Sequence, residues 1–163
     1  MNEPVPDYPT RDTSLIGAAG VHYVVSELSL RGLIALPTTR NTAGVDVIVT
    51  NKAGTWHANI QVKSSRSRVG FWPIGTKYSD WVAPNNFYAF IRFNPQANSL
   101  EAFLVSSDEV ARLVTQSRIR EKEKGLKAWA PCFYPGEGGI ERLKVQWDEF
   151  GKEYAAQKIQ DIK

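Results

Sequence analysis

The sequence predicts an α/β fold, an α+β sandwich in which a mixed central β-sheet is flanked by helices. Three observations lead there. A helix-periodic segment near the start ends at a glycine, a strand-turn-strand unit occupies residues 45–64, and a second strand pair over residues 87–105 runs straight into a helix-start signal. Hydrophobic residues at 42% and charged residues at 23% of 163 positions are those of an ordinary folded protein.

Residues 1–13 hold Pro4, Pro6 and Pro9, which rule out a regular helix or central strand, so this stretch is expected to be an irregular arm. Ser14 offers a helix cap, and over residues 15–30 Ala18, Val21, Val25 and Leu28 recur at three- and four-residue steps before Gly32 stops the helix. "LIALP" at 33–37 and the β-branched "VDVIVT" at 45–50 are expected strands. A turn centred on Ala53 and Gly54 leads into residues 55–64, where Trp56, Ala58, Ile60 and Val62 alternate with His57, Asn59, Gln61 and Lys63. The first set should face the core.

Residues 87–93 and 100–105 form the second expected hairpin around "NPQANS", and Ser107 with Asp108 and Glu109 predicts the start of a second long helix. "RIREKEKG" at 118–125 is expected to be that helix's tail, and "PCFYPGEGG" at 131–139 a loop. Over residues 147–162, Phe150, Tyr154, Ala155, Ile159 and Ile162 keep near-helical spacing, which predicts a terminal amphipathic helix. A chain of this length is expected to form a single domain over 1–163, since a second core would be starved of residues.

The bulk properties exclude some functions. No apolar run approaches the roughly 18 residues of a membrane span, and the opening lacks a basic region followed by an apolar block, so no membrane partner is expected. A single cysteine, Cys132, fits a reducing cytoplasm, and with no cysteine partners a structural zinc site has little support. The net charge of +3 is unevenly spread: Lys63, Arg66, Arg68 and Lys77 follow one another with no acid between, interleaved with Phe71, Trp72 and Trp81. That pattern suits either a solvated loop or a polyanion-binding surface, with Arg66, Arg68, Trp72 and Lys77 as candidate nucleic-acid contacts. Most of the five tryptophans should be core or rim residues; Trp72 and Trp81 are the two expected to stack a base.

The first hairpin carries the chemistry. Equal steps from the turn centre bring Asp46 across from Gln61, and strand alternation puts Gln61 and Lys63 on one face about 7 Å apart. Asp46 supplies carboxylate oxygen for a hard divalent cation and Gln61 a carbonyl oxygen, while Lys63 can hold a phosphate and stabilise charge building at phosphorus. Phosphodiester hydrolysis is the reaction such a set suits. A second run of the same letters, Asp148 with "DIK" at 161–163, lacks the strand-turn-strand frame. His57 sits toward the turn and His22 on the helix; both are expected to be ordinary surface or packed imidazoles, although His22 could stand near the site.

Asp46, the β-turn and Gln61-Val62-Lys63 resemble the pattern of the PD-(D/E)xK nuclease superfamily, in its Gln-x-Lys variant, and the helix "GVHYVVSELSLRG" is similar to that superfamily's first core helix. The resemblance covers residues 15–65 in detail and implies a restriction-endonuclease-like core. It also implies Mg²⁺ or Mn²⁺ held by Asp46 and Gln61, Lys63 as the catalytic cation, and Glu27 on the first helix as an acidic helper. Glu27 equally suits an i,i+4 ion pair with Arg31. The position after Gly20, often Glu in proteins of this look, is Val21, and a neutral Gln61 removes one negative charge from the cation site. The implied function is a metal-dependent nuclease acting on DNA, as a homodimer where both strands are cut. The rival reading is a catalytically degenerate nucleic-acid-binding or protein-interaction module on the same fold.

Overall fold

The computed structural model describes residues 13–39, 44–65, 71–94, 99–126 and 130–134, together with Trp147 and Phe150. Helix α1 (Thr13–Leu30) leads into strands β1 (Ile34–Pro37), β2 (Val47–Thr50) and β3 (His57–Ser65), and then the short β4 (Trp72–Pro73). Strands β5 (Asn86–Asn94) and β6 (Ser99–Ser106), helix α2 (Ser107–Glu123) and the short β7 (Cys132–Phe133) follow. The main sheet has the order β1-β2-β3-β5-β6. All its neighbours are antiparallel except the parallel β3/β5 pair, so the sheet is mixed, as the sequence predicts.

Each face of the sheet carries its own core. Under α1, Val24 and Leu28 pack with Val47, Val49, Ala58 and Ile60, and with Phe87, Ala89 and Ile91 of β5. The opposite face joins Tyr88, Phe90, Phe103 and Val105 to Val110 and Val114 of α2 and to Trp72 and Phe133 of the small β4/β7 sheet. Strand β5 is therefore buried on both faces, which accounts for its nearly continuous apolar run.

Helix α1 ends where expected. Gly32 takes φ of 81°, and the N–H groups of Arg31, Gly32 and Leu33 bond back to the last carbonyls. Its buried line is Gly20, Val24 and Leu28, with Val21 and Val25 only partly covered. The line shifts because Gly20 lets the helix sit directly on Val62 and Ser64: a Cβ there would overlap Ser64 Oγ and meet Val62 Cγ1 at 3.4 Å.

Helix α2 differs from expectation at its start. Ser106 is the N-cap residue and Ser107 is already helical. The Ser107 hydroxyl is fully buried and clamps Ala83 instead, accepting from its N–H at 3.1 Å and donating to its carbonyl at 3.0 Å. The β4/β7 pairing was not anticipated either, since two-residue strands carry no period to read. Of the expected arm over 1–13 only Thr13 is described, and it is already helical. The expected helix over 147–162 likewise lies outside the described residues except for Trp147 and Phe150, both helical and both part of the α1-side core.

Candidate active site

Asp46 stands where two strands part. The β2/β3 register runs from Thr50 with His57 to Val47 with Ile60, one step short of the Asp46–Gln61 pairing that the turn count predicts. Regular pairing stops there. The Asp46 N–H donates to Ile60 O on β3 at 2.9 Å, whereas its carbonyl accepts from Thr38 N–H, just past β1, at 2.9 Å. In a regular strand both groups of one residue face the same neighbour, so the chain turns over at Asp46. Gly44, with φ of 78°, supplies the left-handed step just before it. A Cβ on Gly44 would also approach the Trp81 ring nitrogen at 3.3 Å.

The turn-over aims the acid. Asp46 Oδ2 accepts the backbone N–H of Val62 at 2.7 Å, which ties the carboxylate to the strand that bears Gln61 and Lys63. Because Val62 offers this N–H along its β2-facing edge, the carboxylate lies near the plane of the sheet, in the fork between β2 and β3.

Gln61 and Lys63 stand on the other side of that strand from Val62. They are in register with Tyr88 and Phe90 of β5, so they share the α2-side face with those rings. Both are half-buried. Burial pulls the Lys63 ammonium below the ordinary lysine value, and the field of Asp46 opposes that shift. Asp46 and Lys63 are thus electrostatic neighbours, although among the described residues no salt bridge joins them. Beside Gln61, the Tyr88 phenol is pushed up to about 12 by burial, so it is a neutral wall, and Trp81 meets its ring edge-on at 4.8 Å.

On the α1 side the fork opens into a cleft of roughly 480 Å³. Its walls are Ser14, Gly17, Ala18, Val21 and His22 of α1, Pro37, Thr38 and Thr39 at the end of β1, and Asp46 with Val62 at the floor. Gln61 and Lys63 are not among the cleft-lining residues, so the cleft presents the Asp46 carboxylate while the amide and the amine lie on the other face of β3, linked to it by the field between Asp46 and Lys63.

No family model matches this sequence, and no curated protein does. The fold is similar to that of a bacterial homing endonuclease, I-Ssp6803I. The likeness spans 91% of this chain and 98% of that one, with a TM-score of 0.55 and 12% sequence identity. At that identity the shared property is the fold.

Glu27 does not join the cluster. It is not among the cleft-lining residues, and its Oε2 accepts from Arg31 Nη1 at 2.7 Å, the i,i+4 pair that its spacing allows. Arg31 also donates to the Glu27 carbonyl at 2.9 Å, which fixes the pair on the helix. The helper role expected for Glu27 has no geometric support.

The candidate nucleic-acid contacts separate. Lys77 is exposed, whereas Arg66 and Arg68 lie outside the described residues. Trp72 is 1% exposed: its indole N–H donates to Ile91 O at 3.3 Å and its rings pack on Phe90, Phe103 and Phe133. No base can stack on it, because the β4/β7 pairing turns the ring inward. Sequence reasoning missed the exposed ring pair beside it, Phe71 and Tyr134, with centroids 5.5 Å apart, and the threonines at the end of β1. His57 is exposed at the hairpin end, four pairs from Asp46.

Proposed function

We propose that this chain is a single-domain, divalent-cation-dependent nuclease of PD-(D/E)xK type that hydrolyses phosphodiester bonds in DNA. The observation that carries the reading is the bond between Asp46 Oδ2 and the N–H of Val62, which fixes the acid against the strand bearing Gln61 and Lys63. The likeness in fold to a homing endonuclease agrees with it, and DNA as the substrate is taken from that neighbour's name.

The donor set fits a hydrated hard cation. With Oδ2 held by Val62, Asp46 Oδ1 makes no bond among the described residues and the cleft leaves room for water, while Gln61, on the α2-side face of β3 and outside the cleft lining, would add its carbonyl only at the fork between the strands. Among the described residues no group of three His, Cys, Asp or Glu side chains is assembled, so affinity should be low and occupancy should depend on millimolar Mg²⁺ or on Mn²⁺. A bound ion would supply Lewis acidity and make water a better nucleophile at neutral pH.

This chain's residues do the rest. Lys63 Nζ faces the non-bridging phosphate oxygens and offsets the charge that grows as the water oxygen bonds to phosphorus and the bond to the leaving sugar oxygen breaks. Its burial makes that charge less screened, and the lowered proton affinity lets Nζ release a proton more readily than an exposed lysine would. Exposed Lys77, and Arg66 and Arg68 in the segment after β3, supply sequence-independent phosphate contacts. Cutting both strands of a duplex needs two such sites, which a homodimer provides.

One observation favours the rival reading: Asp46 is the only acidic residue lining the cleft among the described residues. A chain that binds DNA without cutting it would have the same basic surface. Incubating the purified protein with duplex, single-stranded and branched DNA in Mg²⁺ or Mn²⁺ separates the two. Cutting that disappears with EDTA supports the nuclease, and DNA binding without cutting under every condition supports the module.

A further inference from the structure

The cleft around Asp46 contains one other strong metal-ligating side chain, His22. It is carried by a helical stripe, since Ser14, Ala18 and His22 follow at four-residue steps and all line the same wall. Gly17 and Ala18 keep that wall low: a Cβ on Gly17 would meet nothing within 4 Å. The imidazole is exposed and makes no hydrogen bond among the described residues, so both ring nitrogens are available. Across the cleft, Asp46 has one oxygen held by Val62 and the other without a hydrogen bond among the described residues, and Thr39 adds an exposed hydroxyl.

We infer that His22 and Asp46 together form a mixed nitrogen-carboxylate site, which makes this chain prefer Mn²⁺ or a later first-row ion such as Co²⁺ over Mg²⁺. This rests on the reading of Asp46 as a cation ligand and sharpens it. Imidazole nitrogen is a borderline donor that gains affinity along the series from Mn²⁺ toward Cu²⁺, whereas Mg²⁺ takes oxygen donors and keeps its waters. A site of one carboxylate and one amide has no basis for that discrimination, whereas an imidazole provides one.

The chain has only two histidines, so His57 at the far end of the hairpin is an internal control. Titrating the full chain with MnCl₂ while observing the imidazole carbon-bound protons by NMR should broaden His22 selectively. That broadening should vanish in Asp46→Asn. By calorimetry, His22→Ala and His22→Gln should each weaken Mn²⁺ and Co²⁺ binding about tenfold while Mg²⁺ affinity stays within about twofold. Since His22 is exposed on its helix, both variants should keep the parent's circular dichroism. Equal broadening of the two histidines, or unchanged Mn²⁺ affinity in both variants while Asp46→Asn abolishes binding, overturns the His22 assignment and leaves the nuclease reading standing. Absence of binding by any of the three ions to the parent protein overturns both.

Discussion

Asp46 Oδ2 accepts the backbone N–H of Val62 at 2.7 Å, so the acid is anchored to the one residue that separates Gln61 from Lys63. Two requirements are met by that bond. It positions the carboxylate in the fork between strands, and it satisfies a backbone donor that the end of β2 would otherwise leave without a strand partner.

Replacing Asp46 by Asn keeps an acceptor for Val62 N–H and removes the charge. The field of Asp46 holds the Lys63 value up against burial, so in Asp46→Asn the lysine should titrate still lower. In the parent, Lys63 already titrates below its ordinary 10.5, and the folded state therefore binds this proton less tightly than the unfolded chain. Its contribution to stability consequently rises as pH increases through the interval between the lowered value and 10.5. Following the Lys63 Cε resonance against pH checks both statements; an upward move in Asp46→Asn contradicts them.

Gly20 and Ser64 set how closely α1 lies on β3. Gly20→Ala should gain about 1 kcal/mol of helix propensity yet lose more, for a net destabilisation of about 1–2 kcal/mol, because the new Cβ overlaps Ser64 Oγ and sits 3.2 Å from Ser64 Cβ. Ser64 Oγ is buried with no hydrogen-bond partner among the described residues, so Ser64→Ala alone should be neutral or stabilising by about 1 kcal/mol. In the double variant the cost of Gly20→Ala should shrink. Urea unfolding of the four proteins measures the coupling, and strict additivity would rule out the contact.

Glu27→Gln removes the ion pair with Arg31 and nothing in the cleft. Stability should fall by about 0.5 kcal/mol or less, and any cleavage rate should stay within about threefold of the parent. A loss of cleavage near that of an Asp46 variant would restore Glu27 to the site.

Trp72 and Lys77 should behave oppositely. Trp72→Ala empties a core position and should cost about 3–5 kcal/mol in a thermal or urea melt. Lys77→Ala, at an exposed position, should leave the melt unchanged and reduce the slope of log affinity for DNA against log salt by roughly 0.9.

What the sequence revealed and hid follows from the range of the interactions. The register from Thr50–His57 to Val47–Ile60 was legible because the turn at Ala53 and Gly54 fixes the pairing of β2 and β3 by counting alone, whereas the break in pairing at Asp46 was not. The Glu27–Arg31 pair was legible as one of two readings, being four residues apart on one helix. Trp72 was not, because its burial depends on Phe133, sixty-one positions away, and on rings from two other strands. Nor was the cleft wall at Thr38 and Thr39, which exists only because β1 pairs with β2 and the chain turns over at Asp46. His22 was visible as a residue, but its place in the wall of the cleft that holds Asp46 needed the packing of α1 on the sheet.

Single-turnover cleavage of a DNA substrate by the parent, Lys63→Ala and Asp46→Asn, with and without added Mn²⁺, tests the central claim most directly. Cation-dependent cutting by the parent, reduced about 100-fold or more in each variant while their melts match the parent's, is the predicted result. Equal cutting by all three proteins, or cutting that persists in excess EDTA, would contradict it.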